Sequence, residues 1–330
     1  MRVLLVGAGS VGQVYGYHFH RGGAKVAFFV RDKYAEDARR GFDLYSLNRR
    51  RGREAPAHFD EFDVFTDMQE ATKRSWDMVV LCLPASALRT GAWFEQLATG
   101  LGDATLVNLT PGIDDYRWIS ERVPQEQIVS GLIGLSSWSG PLPGATLPKP
   151  GTVYWVPPLT KMAFSGPRAR TRRTRDALDA GGLPSKVVDD TRAQMAFEGP
   201  AFQFFMAALE LAHWNFEQVR NKPQHLALSH RATREAFVVA AQRIGKKPPL
   251  NVRVMHPWVL RIATRAVRYV VPFDMALFLE KHFSKVGEQT TLGLTTLIEL
   301  AETQGNPADA MKELLAQVVE ARAVVKDGRP

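Results

Sequence analysis

Short apolar segments alternate with polar or helical stretches along residues 1–189. This alternation is typical of a parallel β-sheet covered by helices, and the nearly continuous Val and Leu content of the segments indicates strands buried on both faces. We therefore predict an α/β fold for this part of the chain. The pattern predicts strands at Arg2–Val6, Lys25–Val30, Asp77–Leu83 and Ala104–Leu109, with a helix at Val11–Arg21 between the first two.

The composition changes between Ser130 and Pro167, where Gly, Pro, Ser and aromatic residues accumulate. β-favouring pieces at Gly151–Val156 and Lys161–Phe164 predict antiparallel strands that complete the sheet. We expect Lys186–Val188 to be its last strand.

Beyond Asp189 the apolar spacing becomes that of helices almost to the end of the chain. We therefore predict two domains, an α/β domain over residues 1–189 and an all-helical domain over residues 190–330 that binds substrate and could support a homodimer. Proline and glycine separate the expected helices. These are Arg192–Phe216, Ser229–Ile244, Pro257–Tyr269, Phe273–Gln304 and Pro307–Lys326.

A glycine pattern, G-x-G-x-x-G, occurs at Gly7, Gly9 and Gly12. It follows a predicted strand and opens a predicted helix, which is the context that a dinucleotide-binding loop requires. Gly7 allows a tight turn, Gly9 lets the backbone approach a pyrophosphate, and Gly12 permits close packing of helix on strand. Ser10 and Val11 lie in the same loop, where the helix N-terminus supplies N–H groups and partial positive charge. The first domain is therefore predicted to be of the Rossmann type.

The residue after the second predicted strand indicates which dinucleotide is bound. NAD enzymes usually place an acidic residue there, about 20 residues beyond the glycine pattern, to bind the ribose 2′-hydroxyl. Arg31 takes this place here, and a guanidinium group can pair with a 2′-phosphate. Lys33 adds positive charge, whereas Asp32 weakens the preference. We predict NADP as the cofactor, with Leu83 and Pro84 at the end of a later strand also in its site.

Composition excludes several classes of protein. One cysteine, Cys82, excludes an internal disulfide framework and a cysteine-based zinc site, and we predict no metal. No segment approaches the roughly 20 apolar residues that a membrane span needs. The apolar start continues directly into the glycine pattern, so we expect no signal peptide, a cytoplasmic location and no membrane partner.

The net charge of +8 permits nucleic-acid binding but does not favour it, because the arginine clusters are not interleaved with aromatic residues. We therefore predict no nucleic-acid partner. Arg261, Arg265 and Arg268 form one basic stripe on a predicted helix. This stripe could be a solvated helix face or could bind an anion. We favour the solvated face, because such stripes are common on exposed helices.

The glycine pattern, Arg31 and the segment Gly41–Tyr45 give the chain its resemblance to the ketopantoate reductase (2-dehydropantoate 2-reductase) family. The resemblance continues through the turn at Gly112 and the Gly- and Pro-rich strands, and into the helical half. It implies a cleft between two domains, in which NADPH reduces an α-keto acid to a hydroxy acid.

The sequence departs from this family at its catalytic positions. Pro111 stands where the family has asparagine. An ungapped match of the second domain places Glu198 at the family's catalytic lysine and Ala276 at a serine that binds substrate. A further family asparagine falls near Phe202 or Gln203.

Acidic residues remain at Glu280 and Glu288, the latter matching a glutamate of the family's substrate site. If Glu198 faces Glu288, we predict that mutual repulsion and partial burial keep one carboxyl neutral, so that it can donate a proton to a carbonyl or imine. Glu198 and Glu288 are thus the candidate catalytic residues. The alternative for Glu198 is an exposed acid near a helix start, with a new helical segment beginning at Pro200.

Two functions therefore remain open. The first is an NADP-dependent oxidoreductase that transfers hydride from NADPH to a carbonyl or imine of a small-molecule substrate. The second is a non-catalytic NADP(H)-binding sensor or regulatory protein on the same fold. A long helical domain after a complete Rossmann unit normally builds a substrate cleft, which favours the first.

Overall fold

The computed structural model of the protein divides into two compact units, Met1–Arg192 and Ala193–Pro330. The sequence pattern placed the boundary at residue 189. The structure describes residues 1–49, 53–110, 112–253, 256–284 and 287–326, without the side chains of residues 113, 251, 253, 284, 287–290, 325 and 326.

The first unit is built on a mostly parallel sheet. Its described strands are β1 (Arg2–Val6), β2 (Lys25–Phe29), β3 (Phe42–Ser46), β4 (Ala57–Phe59), β5 (Phe62–Phe65), β6 (Met78–Leu81), β7 (Thr105–Asn108), β8 (Ile128–Leu132), β9 (Ser136–Gly140), β10 (Gly151–Trp155), β11 (Met162–Ser165) and β12 (Ser185–Val187). An eight-stranded sheet has the order β12-β11-β8-β7-β6-β1-β2-β5. Its strands from β8 to β5 are parallel, and β11 pairs antiparallel with β8.

Helices cover both faces of this sheet, as the Val- and Leu-rich strands predicted. They are α1 (Ser10–Arg21), α2 (Ala35–Arg39), α3 (Met68–Thr72), α4 (Ala85–Leu88), α5 (Trp93–Gly100), α6 (Ile113–Ser120) and α7 (Arg168–Ala180). Tyr15 and Phe19 of α1 pack with Leu5 on one face, and Phe94 of α5 packs with Leu4 on the other. Each such side chain is almost fully buried, which contributes about 1.5–3 kcal/mol.

A second, four-stranded sheet has the order β4-β3-β10-β9. The expectation that Gly151–Val156 would complete the main sheet is therefore wrong, because β10 runs parallel to β3 and antiparallel to β9. A short apolar segment does not specify its partner strand, and the strand at Phe42–Ser46 had no clear alternation of its own. Lys161–Phe164 does join the main sheet antiparallel, with β12 at the edge beside it, as predicted.

The second unit is helical throughout its described secondary structure. Its helices are α8 (Thr191–Leu211, which starts in the first unit), α9 (Phe216–Asn221), α10 (Pro223–Ile244), α11 (Leu250–Arg253), α12 (Pro257–Val270), α13 (Met275–Ser284), α14 (Gly287–Thr303) and α15 (Asp309–Lys326). The core lies among α8, α10, α14 and α15, around Phe204, Val239, Leu294 and Leu314. None of the helices in the described part of the chain is long and apolar enough to span a membrane.

Two helix ends differ from the prediction for local reasons. α8 ends at Leu211 rather than Phe216, because His213 and Trp214 take positive φ angles of 51° and 56°. Asn215 then caps α9, where its side chain accepts hydrogen bonds from the N–H groups of two residues in the first turn. α10 begins at Pro223, since proline is well suited to a first helical position.

Candidate functional site

A cavity of about 980 Å³ lies in the first unit, at the edge where the parallel strands β1, β2 and β6 end. Parallel strands carry their ligands at this carboxyl edge, where the loops to the following helices meet. Val6 and Phe29 close β1 and β2 at the wall, and Cys82 follows β6 there. The volume is within the range of small-molecule and cofactor sites.

The first glycine of the loop after β1 can be replaced by no other residue without strain. Gly7 has a φ of +102°, and a Cβ atom there would lie 2.7 Å from the carbonyl oxygen of Cys82. A Cβ on Gly12 would lie 2.1 Å from the carbonyl oxygen of Gly7. These two glycines therefore let the loop fold tightly against β6 and the start of α1.

Gly9 differs from the other two because it faces open space. A Cβ atom built on Gly9 has no neighbour within 4 Å, and its φ of −69° and ψ of 177° are accessible to any residue. Gly9 lines the cavity, so the space above it belongs to the site and not to the protein core. The fold does not need glycine at this position, whereas a ligand in close contact with the backbone does.

The N-terminus of α1 is prepared for an anion. No side chain caps it, and its first turn contains no acidic residue. Ser10 and Val11 open the helix without lining the cavity, while Gly7 and Gly9 line it. The uncapped N–H groups and the positive helix end favour a phosphate or pyrophosphate beside Gly9.

Gln13 holds the loop in place, a role that the sequence analysis missed. Its Nε2 donates to the carbonyl oxygen of Ala8 at 2.9 Å, and its Oε1 accepts a 2.6 Å hydrogen bond from the Oγ1 of Thr152. Both amide atoms are thereby used, which fixes the side chain between the glycine loop and β10. Thr152 is 139 residues away in sequence, so no local pattern could reveal the contact.

Arg31 lies in the same cavity, directly beyond the end of β2. Its guanidinium stacks over the ring of Tyr34 at 5.1 Å and donates a 3.2 Å hydrogen bond to the Tyr34 hydroxyl. The ammonium of Lys33 lies 4.9 Å from the centre of the same ring. The hydrogen bond from Lys33 is the main cause that lowers the pKa of the exposed Tyr34. Tyr34 thus positions two cations at the mouth of the site.

Two carboxylates also line this part of the cavity, Asp32 and Asp37. Asp37 is in an ion pair with Arg40 at 3.4 Å, but Arg40 also pairs with Glu36, so it offsets the charge of Asp37 only in part. Asp32 follows Arg31 and remains an acidic group close to the cations, as the sequence indicated.

The other wall of the cavity follows β6. Leu83 and Pro84, two of the predicted cofactor residues, line this wall. Thr90 and Trp93 line it as well, and the sequence did not indicate them. The Trp93 ring stacks on Phe29 at the end of β2, with 6.3 Å between ring centres. Tertiary packing brings these aromatic residues together, and their spacing along the chain gives no signal of it.

Cys82 lies behind the glycine loop, beside the fully buried Tyr15. Burial raises the pKa of the Cys82 thiol and of the Tyr15 hydroxyl, so both stay neutral at ordinary pH. This environment favours the structural role expected for Cys82, because a reactive cysteine requires the thiolate form.

The candidate catalytic residues are placed only in part. Glu198 lies half-buried on α8 and accepts a 2.8 Å hydrogen bond from the Nε2 of Gln194, one turn earlier. α8 continues through Pro200, so the alternative of a new helical segment starting there is wrong. Glu288 lies on α14, but its side chain is outside the described part of the structure, as is all of Pro111. The proposed pairing of Glu198 with Glu288 stays a prediction.

Two further positions of the second unit have defined surroundings. Ala276 lines a separate cavity within the helical unit, and Gln203 contacts Gly293 of α14 with its side-chain amide. Within the ranges that the structure describes, no cluster of three or more His, Cys, Asp or Glu side chains could hold a metal ion.

Comparisons with known proteins agree with this geometry. Residues 3–155 match the family model of ketopantoate reductase PanE/ApbA. No curated protein sequence gives a significant match.

Many solved structures share the fold. A PanE/ApbA family ketopantoate reductase from Ralstonia eutropha JMP134 has a TM-score of 0.70 at 16% identity, over 97% of this chain and 98% of that chain. D-Mandelate dehydrogenase, solved with NADH and anilino(oxo)acetate, has a TM-score of 0.71 at 14% identity, over 99% of both chains. The 2-dehydropantoate 2-reductase from Methylococcus capsulatus has a TM-score of 0.66 at 14% identity, over 98% of this chain and 97% of that chain.

The matched region contains the glycine loop, Arg31 and the second wall of the cavity. The match to solved structures extends over nearly the whole chain and includes its helical half. Residues 3–155 of the first unit therefore match the ketopantoate reductase PanE/ApbA family model, and the chain as a whole has the fold of the solved ketopantoate reductases.

Proposed function

We propose that the chain is a reductase that uses NADPH to deliver a hydride to the carbonyl or imine carbon of a small-molecule substrate. The observation that supports this most directly is a single cavity lined by both the glycine loop and Arg31. The residues fit a dinucleotide phosphate, because Gly9 is open and the N-terminus of α1 has no cap of its own.

The choice of NADPH over NADH rests on the cations beyond β2. A guanidinium group forms strong, directed hydrogen bonds with phosphate oxygens. Stacking on Tyr34 keeps Arg31 in the cavity before any ligand arrives, which lowers the entropic cost of binding a 2′-phosphate. Asp37 opposes this only in part, since Arg40 offsets some of its charge.

The nicotinamide supplies the hydride when the cofactor is bound. The chain must then deliver a proton to the oxygen or nitrogen that the reduction leaves negative. We propose Glu198 as the donor, because it occupies the family's lysine position and is half-buried on α8. A carboxylic acid held by Gln194 could stay in position for this transfer. An acidic site of this kind disfavours an anionic keto acid and favours a neutral or cationic substrate.

The test is a stopped-flow measurement of NADPH oxidation at 340 nm against keto acids, ketones and imines. We expect turnover of at least one neutral carbonyl or imine compound. Cofactor binding with no turnover of any compound would contradict the reductase and favour a binding protein.

The proton donor is tested on the active compound. Glu198→Gln should lower the rate about a hundred-fold or more and remove the alkaline limb of the pH profile, where a proton donor loses its proton. Glu302→Gln, at an exposed position of α14 that pairs with Lys312, is the matched control. It should change neither the rate nor the pH profile. Full activity of Glu198→Gln with an unchanged pH profile would exclude Glu198.

A further inference from the structure

A second cavity, of about 720 Å³, lies entirely within the helical unit. Its walls come from α9, from α12 and from the segment between α12 and α13. Three arginines line it, Arg220 from α9 and Arg265 and Arg268 from α12. Among the described residues, all that line it belong to the second unit, and Glu198 is not one of them.

The packing of α12 directs these arginines to the cavity. Thr264 is buried and accepts, through its carbonyl oxygen, a 3.3 Å hydrogen bond from the Nη1 of Arg220. Arg265 and Arg268 are three residues apart, so they leave α12 from one side of the helix. The guanidinium of Arg268 is stacked over Tyr269 at 4.6 Å, which limits its freedom.

In the part of the chain that the structure describes, three arginines and only two carboxylates line this cavity. No acidic side chain there forms an ion pair with any of the three guanidinium groups. Two acids, Glu217 and Asp274, do line the cavity, but each lies at the start of a helix. Glu217 is in the first turn of α9, and the Oδ1 of Asp274 accepts the N–H of Leu277 in α13 at 3.0 Å. The positive helix ends offset part of both negative charges.

Like charges that share a cavity repel one another unless an anion offsets them. Arginine is suited to phosphate, since its planar group presents several N–H donors to neighbouring oxygens. Phe216 and Phe273 add apolar surface to the same walls. We propose that this cavity binds a small organic molecule that bears a phosphate group next to an aromatic or aliphatic part.

Ala276, which the ungapped match places at the family's substrate-binding serine, also lines this cavity. Binding by the three arginines goes beyond the proposed reductase activity and is measured without cofactor or turnover. It also gives a function to the basic stripe of α12, for which a solvated face was the favoured prediction. The stripe is divided in this interpretation. Arg265 and Arg268 line the cavity, whereas Arg261, on the same helix and also exposed, does not.

The experiment is a calorimetric titration of the full chain with phenyl phosphate, inorganic phosphate and phenol. We expect phenyl phosphate to bind with one-to-one stoichiometry and more tightly than inorganic phosphate, with phenol the weakest. An Arg265→Ala, Arg268→Ala double variant should lose about ten-fold or more in affinity for phenyl phosphate. The Arg261→Ala variant is the matched control, and its affinity should change less than two-fold.

The glycine loop of the first unit is another place where phosphate could bind, so the same titration is run on Gly9→Val. Retained phenyl phosphate binding in Gly9→Val, together with its loss in the arginine double variant, would support the helical site. The proposal is overturned if no saturable binding occurs in the millimolar range, if Arg261→Ala loses as much as the double variant, or if Gly9→Val abolishes the binding. Measured heats with phenyl phosphate do not require NADPH, so failure of the reductase proposal leaves this result interpretable.

Discussion

The first unit and the helical unit differ in how closely they match the ketopantoate reductase family, because the family model matches residues 3–155 only. In the first unit the fold requires glycine at Gly7 and Gly12, Gly9 is open toward the cavity, and Arg31 reaches the same cavity. In the second unit the helical fold is that of the solved ketopantoate reductases, while the ungapped sequence match predicts Glu198 and Ala276 at the family's lysine and serine. The core of the second unit packs around Phe204 and Leu294.

This contrast leads us to expect that a helical core and a catalytic surface can change independently. Large buried side chains determine how the helices pack, and each core substitution of this kind costs several kcal/mol. Half-buried polar positions such as Glu198 can change at little cost to stability. A shared cofactor unit can therefore serve different substrates, and experiments can perturb the two units separately.

The largest expected effect is on the cofactor unit. Gly9→Val should weaken NADP(H) binding about a hundred-fold or more, because the side chain would fill the space of the pyrophosphate while contacting no protein atom. Thermal unfolding should change little. Gly12→Val is the contrasting variant, since its Cβ would overlap the carbonyl oxygen of Gly7, and it should lower stability itself. A folded Gly9→Val with normal NADP(H) affinity would show that the loop does not hold the phosphates.

The second prediction concerns the substrate unit. Reduction of ketopantoate itself should be slower than ordinary metabolic catalysis by about a hundred-fold or more, because the sequence match predicts Pro111, Glu198 and Ala276 at positions where the family has hydrogen-bond donors. Steady-state kinetics with NADPH and ketopantoate measures this. A catalytic efficiency of about 10⁴ M⁻¹s⁻¹ or higher would mean that the two units have not diverged as described.

The third prediction concerns His18 of the first unit, a group that makes stability sensitive to acid. Burial is the main cause that lowers the pKa of His18 to about 4. The unfolded chain takes up this proton near pH 6.5, but the folded chain does so only near pH 4. The contribution of His18 to the free energy of unfolding is therefore fully present above pH 6.5. This free energy falls by about 3 kcal/mol as the pH drops to 4.

Urea unfolding between pH 7.5 and pH 4 tests this. His18→Asn retains an amide that can bond to the carbonyl of Gly181 and should have a shallower pH dependence. His20→Asn, at a more exposed position of α1, should behave like the wild type. Asp77 does not interfere, because its pKa is lowered from 3.8, chiefly by the backbone N–H of Arg2, and its contribution is lost only below this window. If the free energy of unfolding changed equally with pH in wild type and His18→Asn, His18 would not be the acid-sensitive group.

The smallest effects concern cofactor choice. Arg31→Ala should weaken NADPH binding about ten-fold while leaving NADH binding unchanged. Tyr34→Phe keeps the ring but removes the hydroxyl that Arg31 bonds, and should cost about two- to three-fold toward NADPH only. Arg39→Ala, on α2 and outside the cavity, is the control. Fluorescence titrations of the three variants with both cofactors measure these affinities. If Arg31→Ala lost as much affinity for NADH as for NADPH, Arg31 would have a general structural role instead.

The sequence predicted the features that depend on neighbours along the chain. The fingerprint was recognisable because strand, turn and helix follow within about a dozen residues, and the position of Arg31 follows from the end of β2. The second sheet was missed because β3 pairs with β10, where Leu44 lies opposite Thr152. Non-local pairing of this kind leaves no trace in hydrophobic periodicity.

The same distinction applies within the site. Gly7, Gly9, Leu83 and Pro84 were predicted and line the cavity, but Trp93 reaches it only through packing on Phe29.

The central claim is that the first unit binds NADPH in preference to NADH. The most direct measurement is the dissociation constant of each reduced cofactor for the wild-type chain, from nicotinamide fluorescence under identical salt. We predict one-to-one binding of both, with NADPH about ten-fold tighter, as one charged hydrogen-bonded pair to the 2′-phosphate would give. Equal dissociation constants, or tighter binding of NADH, would contradict the claim.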